Sequence, residues 1–161
     1  MRKRFEQQLS INGVAINEVK FNPKDRHQLG RLLKGLQYLF ITADLSEQIF
    51  TILEDKILSG KQATGRQGMS LWEILVLSCV KLNLNTDYDF LLDQSNHHRK
   101  LREILGVART DYLPGKVYHL QTVIDNVELL DLETLDKINK LVVEAGHGVV
   151  KKNWLSNHRL L

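Results

Sequence analysis

Three aspartates, Asp87, Asp89 and Asp93, are the closest group of acids whose spacing resembles a metal-dependent catalytic site. Asp89 and Asp93 are four residues apart, so on a helix they would share one face. A two-metal nuclease site needs several carboxylates that converge on ions about 3.5–4 Å apart. Asp87 and Asp89, however, stand at a helix start, where carboxylates cap the helix and complement its dipole. We therefore predict no catalytic residue and no metal site here.

The pair His97-His98 is the other candidate for metal binding. Adjacent helical residues point about 100° apart and cannot easily grip one ion together. Cys79 is the chain's one cysteine, and it lies in an apolar stretch. Because a cysteine-based zinc site needs several thiolates, such a site is excluded. No cofactor is predicted. The run Asn96–Arg102 is better interpreted as cations and donors suited to phosphates, with His97, His98, Arg99, Lys100 and Arg102 as candidates. A plain polar connection between helices is the alternative.

Charge along the chain is uneven, although the net charge is only +3. Residues 1–34 hold eight Lys or Arg against three acids, and residues 99–116 hold five against two. Residues 148–161 add three cations, whereas residues 117–147 hold six acids against two lysines. Basic segments of this kind can form an anion-binding face, and a solvated surface is the alternative. The further phosphate-binding candidates are Arg2, Lys3, Arg4, Arg66 and Lys116.

The elements that would position these residues are nearly all helices. Leu9–Ile16 alternates around Asn12-Gly13, which predicts a short β-hairpin with a type I′ turn. Helical periodicity begins after Asp25 and continues to Gly146, and Asp44, Asp87 and Asp131 are predicted to cap helices. Ser70-Leu71-Trp72-Glu73 is a capping box before an apolar stretch, Leu71 to Leu84, that is too short to span a membrane. The predicted fold is mostly α: a multi-helix bundle with helix-turn-helix-like elements and an N-terminal β-hairpin.

The predicted helix over 119–130 is the candidate for contact with bases. Helix-turn-helix units place the first residues of one helix against base edges. Glutamine and asparagine can hydrogen-bond adenine there. Tyr118 and Asp125 are expected to be exposed beside four candidate DNA-binding residues: His119, Gln121, Thr122 and Asn126.

Several segments together resemble a known family. They are 65–77 (GRQGMSLWEILVL), Asp87-Tyr88-Asp89, Asn96-His97-His98, 101–106 (LREILG), 120–127 (LQTVIDNV) and 141–147 (LVVEAGH). The combination resembles the N-terminal domain of bacterial insertion-sequence transposases of the ISNCY group, which are related to the DDE-type transposases. The resemblance implies a helical domain that recognises transposon ends in DNA. In that family an RNase H-like domain with three acids and two Mg²⁺ ions follows.

The resemblance also sets expectations for the organisation of the chain. We expect a basic arm and hairpin at 1–24, a helical DNA-binding domain at 25–147 and a short basic tail at 148–161 in place of the catalytic domain. Only fourteen residues follow His147, so we expect a truncated or frameshifted transposase that is catalytically silent alone. The alternative is a protein-interaction module, in which the hairpin helps the chain to assemble as a homo-oligomer or with full-length transposase, which it would inhibit. One unpaired cysteine and the lack of an apolar leader favour the bacterial cytoplasm and no membrane partner.

Overall fold

Seven α-helices and one 3-10 turn account for the regular structure in the computed structural model, which describes residues 2–8, 13–61, 68–107, 115–142 and residue 144. The elements, in chain order, are a 3-10 turn (Ile16–Glu18), α1 (Gln28–Ile41), α2 (Ala43–Ile57), α3 (Leu71–Leu84), α4 (Tyr88–His97), α5 (Arg99–Leu105), α6 (Leu120–Val127) and α7 (132–142). The prediction of a mostly α fold is confirmed.

Helix α3 is the centre of the fold, because α1, α2, α4, α5 and α6 all pack against it. The predicted capping box is present: Glu73 N donates to Ser70 Oγ at 3.3 Å, and Ser70 N donates to Glu73 Oε2 at 2.9 Å. The N–H groups of Leu71 and Trp72 donate to the carbonyls of Lys3 and Arg4, each at 3.0 Å. The N-terminal segment 2–8 thus satisfies donors that every helix start leaves open.

The predicted N-terminal hairpin is not seen. Residues 9–12 lie outside the described part of the chain, and where the second strand was expected, Ile16–Glu18 forms a 3-10 turn. Gln37 Nε2 on α1 donates to the carbonyls of Ile16 and Val19, each at 2.8 Å. This segment therefore docks on α1 through a side chain. A lone two-stranded hairpin would have been only marginally stable in water.

Helix ends follow the sequence signals closely, with one shift. Asp87 Oδ1 accepts from Phe90 N at 2.8 Å and Asp131 Oδ1 from Thr134 N at 2.9 Å, so both predicted caps are confirmed. Gly106 ends α5 with a left-handed φ of 75°. Asp44, predicted to cap α2, lies in its first turn instead, and Thr42 occupies the N-cap without a side-chain hydrogen bond. An acidic residue in the first turn of a helix still complements the helix dipole.

Candidate nucleic-acid interface

Two of the predicted DNA-binding residues bind each other inside the fold. Arg2 Nη1 donates to Asn126 Oδ1 at 2.6 Å and to the carbonyl of Met69 at 3.0 Å. Asn126 Nδ2 in turn donates to the carbonyl of Thr122 at 2.7 Å, and the residue is buried. The prediction that Asn126 is exposed is wrong, because its amide joins the N-terminal segment to α6.

Arg4 and Lys3 are also paired. Arg4 Nε donates to Glu54 Oε1 at 2.7 Å, Nη2 to Glu54 Oε2 at 2.9 Å and Nη1 to Glu47 Oε2 at 2.6 Å. Hydrogen bonds with Glu54 and then Glu47 raise the pKa of the Arg4 guanidinium. Lys3 Nζ lies 2.8 Å from Glu6 Oε1. A phosphate would therefore have to displace a carboxylate from either cation.

Lys116 belongs to a cluster centred on the buried carboxylate of Glu73. Glu73 Oε1 accepts from Lys116 Nζ at 2.5 Å and from Tyr118 Oη at 2.6 Å, while Oε2 accepts from Ser70. Burial alone would raise the pKa of Glu73, but the charge of Lys116 and these donors outweigh it and hold the pKa below its usual value. Tyr118 was expected to be exposed and is buried instead. Burial and, to a smaller extent, the charge of Glu73 raise the pKa of the Tyr118 hydroxyl.

The junction between α4 and α5 is held by two residues of the run 96–102. The side chain of Asn96 exchanges two hydrogen bonds with the backbone of Tyr118, at 2.9 and 2.8 Å. Arg102 is only 1% exposed, and its Nη1 and Nη2 donate to the carbonyls of Ser95 at 2.9 Å and Lys116 at 2.6 Å. Burial lowers the pKa of Arg102. With so little surface, Arg102 cannot reach a phosphate without a rearrangement of this junction.

His98 caps α5, because its Nδ1 accepts from Leu101 N at 3.1 Å. That bond requires Nδ1 without a proton, so it favours the neutral ring. Burial lowers the pKa of His98, opposed by the nearby carboxylate of Asp25. His98 lines a small cavity, and Lys100 and His27 line it too.

Stability should therefore fall as His98 becomes protonated. Because the pKa of His98 is lower in the folded chain than in the unfolded chain, the unfolded chain binds the proton more readily. The stabilisation that the neutral His98 ring gives to the fold is therefore complete above pH 6.5, and it is lost as the pH falls towards the folded-state pKa. We expect the melting temperature of the wild type to fall more steeply between pH 7 and 5 than that of His98→Asn, whose amide can still cap the helix. Equal slopes for the two proteins would show that the cap does not depend on protonation.

The remaining predicted residues do lie at the surface, apart from Arg66, which is outside the described residues. His97 Nδ1 contacts Asp93 Oδ1 at 3.1 Å, and Arg99 and Lys100 contact Glu103 at 3.2 and 3.3 Å. His119, Gln121 and Thr122 are exposed on α6. Gln121 Nε2 donates to Asp125 Oδ1 at 2.6 Å, and the helix Leu120–Val127 carries no lysine or arginine.

A second group of cations forms a continuous surface. These residues were not among the DNA-binding residues predicted from the sequence. Lys24, Arg26, Arg31 and Lys34 line one groove of about 650 Å³ between the loop before α1 and the helix itself. All four are exposed, and within the described part of the chain none has an ion pair. The charge excess of residues 1–34 was the sequence signal that pointed to them.

This group meets the α4–α5 junction through Phe21. The Phe21 ring lines both the groove and the adjacent cavity that contains Lys100, and Lys100 Nζ lies 6.0 Å from the ring centroid. We call the combined region the basic surface; it consists of Lys24, Arg26, Arg31, Lys34, Arg99 and Lys100. Two acids lie within it: Asp25, whose Oδ1 accepts from His27 N at 2.9 Å, and Glu103, which contacts Arg99 and Lys100. Parts of two basic segments of the sequence are thus joined.

Among the described residues, no three histidine, cysteine, aspartate or glutamate side chains are grouped to hold a metal ion. In the same residues, no helix has both the length and the apolar character needed to cross a membrane. Burial raises the pKa of the Cys79 thiol to about 12, which disfavours the thiolate.

Comparison with protein-family models, with curated proteins and with solved structures finds no significant match to this chain. The resemblance to insertion-sequence transposases therefore depends on the sequence segments quoted above.

Proposed function

We propose that this chain binds DNA, and that the basic surface contacts the phosphate backbone. The observation that carries the proposal is the groove lined by Lys24, Arg26, Arg31 and Lys34, none of which forms an ion pair with a carboxylate of the described residues. Unpaired cations gain most from phosphates, because they give up no ion pair and release condensed counterions from the DNA. The resemblance to transposases makes transposon ends the DNA that we expect.

Helix α6 has the wrong charge for the first contact with phosphates. Its exposed side carries Asp125, and Glu128 follows at its C-terminus. Base contacts by Gln121 or Thr122 would need phosphate contacts on either side to fix their register. Sequence-independent binding by the basic surface is therefore the stronger proposal.

Removal of cations from the basic surface should weaken binding and reduce its dependence on salt. The slope of log affinity against log salt is negative, and we expect the triple variant Arg26→Ala, Arg31→Ala, Lys34→Ala to reduce its magnitude by roughly 0.9 for each cation that contacts a phosphate. Fluorescence anisotropy with a labelled duplex over a range of salt concentrations measures the slope. The three residues are exposed, so the melting temperature should change little.

A matched control distinguishes a surface from overall charge. The triple variant Lys61→Ala, Lys137→Ala, Lys140→Ala removes the same charge from exposed positions outside the basic surface. It should keep most of the wild-type slope. If the salt slope falls in magnitude by the same amount in both triple variants, or in neither, the basic surface is not where DNA binds.

Assembly with a protein partner is the second candidate function. The expected hairpin no longer supports it. The exposed side chains of Leu82 and Leu132, which line one groove, do support it. Exposed apolar patches on a folded domain commonly mark protein contacts.

A further inference from the structure

An apolar groove runs between α1 and α7, over the C-terminal end of α3. It has a volume of about 620 Å³. Its apolar lining comes from all three helices: Leu32, Leu36 and Leu39 from α1, Leu82 from α3, and Leu135 and Ile138 from α7. Within the described residues the groove opens to the surface.

Gly35 contributes a gap to this groove. A Cβ atom placed on Gly35 would meet nothing within 4 Å, so no packing within the described structure requires a glycine there. A glycine inside a helix costs about 1 kcal/mol relative to alanine. The bare stretch of α1 leaves room for a side chain from outside.

A matching projection stands on the same face. Leu132, at the start of α7, is 71% exposed, and Leu82 beside it is 50% exposed. Both residues line the groove and also the neighbouring cavity next to α4 and α6. Two exposed leucines thus lie beside a gap that is open to an incoming side chain.

We propose that this face is a twofold interface between two copies of the chain, in which Leu132 of each copy enters the groove of the other. A twofold contact requires one patch that carries both the projection and the gap, and this face has both.

Charge favours the same occupant. Arg31 on the α1 rim has no ion pair in the described residues, and Asp136 lies on the α7 rim. A twofold axis parallel to the groove places the α7 rim of one copy, with Asp136, opposite the α1 rim of the other, with Arg31. Asp136 now pairs with Lys140 at 2.8 Å on the surface, and an exposed pair of this kind exchanges at little cost.

Sedimentation velocity without DNA, from low to high micromolar protein, tests this proposal independently of the proposed function. We expect a concentration-dependent monomer–dimer equilibrium. Leu132→Ser should raise the dissociation constant tenfold or more, because an aliphatic anchor leaves its pocket. Gly35→Met should also raise it, because the new side chain fills the gap. Leu120→Ser, at an exposed leucine on α6 away from the groove, should leave it unchanged.

The outcomes separate the two proposals. A chain that stays monomeric throughout, or a dimer that Leu132→Ser and Gly35→Met leave intact, overturns the twofold interface. A monomer that binds duplex DNA overturns only the interface, and a dimer that binds no DNA overturns only the proposed function.

Discussion

Replacement of Glu73 by alanine should lower the free energy of unfolding by about 2–4 kcal/mol, because it leaves the buried donors of Ser70 and Tyr118 without their acceptor, whereas the partly exposed Lys116 ammonium can turn to water. The variant removes the acceptor for Ser70 N, Ser70 Oγ, Lys116 Nζ and Tyr118 Oη. Tyr118 is buried, so its hydroxyl would lose a partner that water cannot easily replace. The Glu73→Ala substitution also removes half of the capping box of the central helix α3. Urea denaturation of both proteins measures the difference.

Two further variants show whether the buried carboxylate is responsible. Glu73→Gln keeps an acceptor oxygen and the side-chain volume, so it should lose less than Glu73→Ala. Glu133→Ala removes an exposed acid whose partner is Lys137 on the same helix, and it should change stability by less than about 0.5 kcal/mol. A loss below about 1 kcal/mol for Glu73→Ala would mean that the cluster contributes little to the fold.

Arg102→Met should cost about 2–4 kcal/mol, because two carbonyls in the junction lose their charged donors. Methionine keeps much of the apolar stem, so the measured loss reports mainly the polar contacts of the guanidinium, which include the hydrogen bonds to Ser95 and Lys116. The bond to Lys116 joins α5 to the segment that leads into α6. We therefore expect amide hydrogen exchange in both helices to accelerate in this variant.

Arg99→Met is the matched control, three positions away on the same helix. Arg99 is exposed and paired only with Glu103, so its loss should change stability by less than about 0.5 kcal/mol. Arg99 belongs to the proposed basic surface, and its replacement should weaken DNA binding while the fold is kept. If Arg99→Met destabilises the fold as much as Arg102→Met, the assignment of roles to the two arginines is wrong.

Local signals in the sequence were enough to predict most of the helices. Ser70 with Glu73, Asp87, Gly106 and Asp131 each act on backbone groups within a few residues, so their effect can be predicted from neighbours in the chain. The apolar character of α3 all round its axis is likewise typical of a helix at the centre of a fold. Asp44 was misassigned because Thr42, two residues earlier, offers an equally plausible start.

The roles of the charged residues depended on partners far away in sequence. Arg4 pairs with Glu54, and Arg102 reaches Lys116 in the segment before α6. A run such as 96–102 shows where cations are concentrated but not which of them turn inward. The opposite held for Lys24, Arg26, Arg31 and Lys34, whose segment was recognised as basic although only the fold shows that they line one groove.

The most direct test of DNA binding by the basic surface is an amide NMR titration of the chain with a short duplex. We expect the largest chemical-shift changes in residues 24–34 and at Arg99 and Lys100, and little change in α7. Changes concentrated at 119–126 with none in residues 24–34, or no changes at protein and DNA concentrations in the high micromolar range, would contradict it.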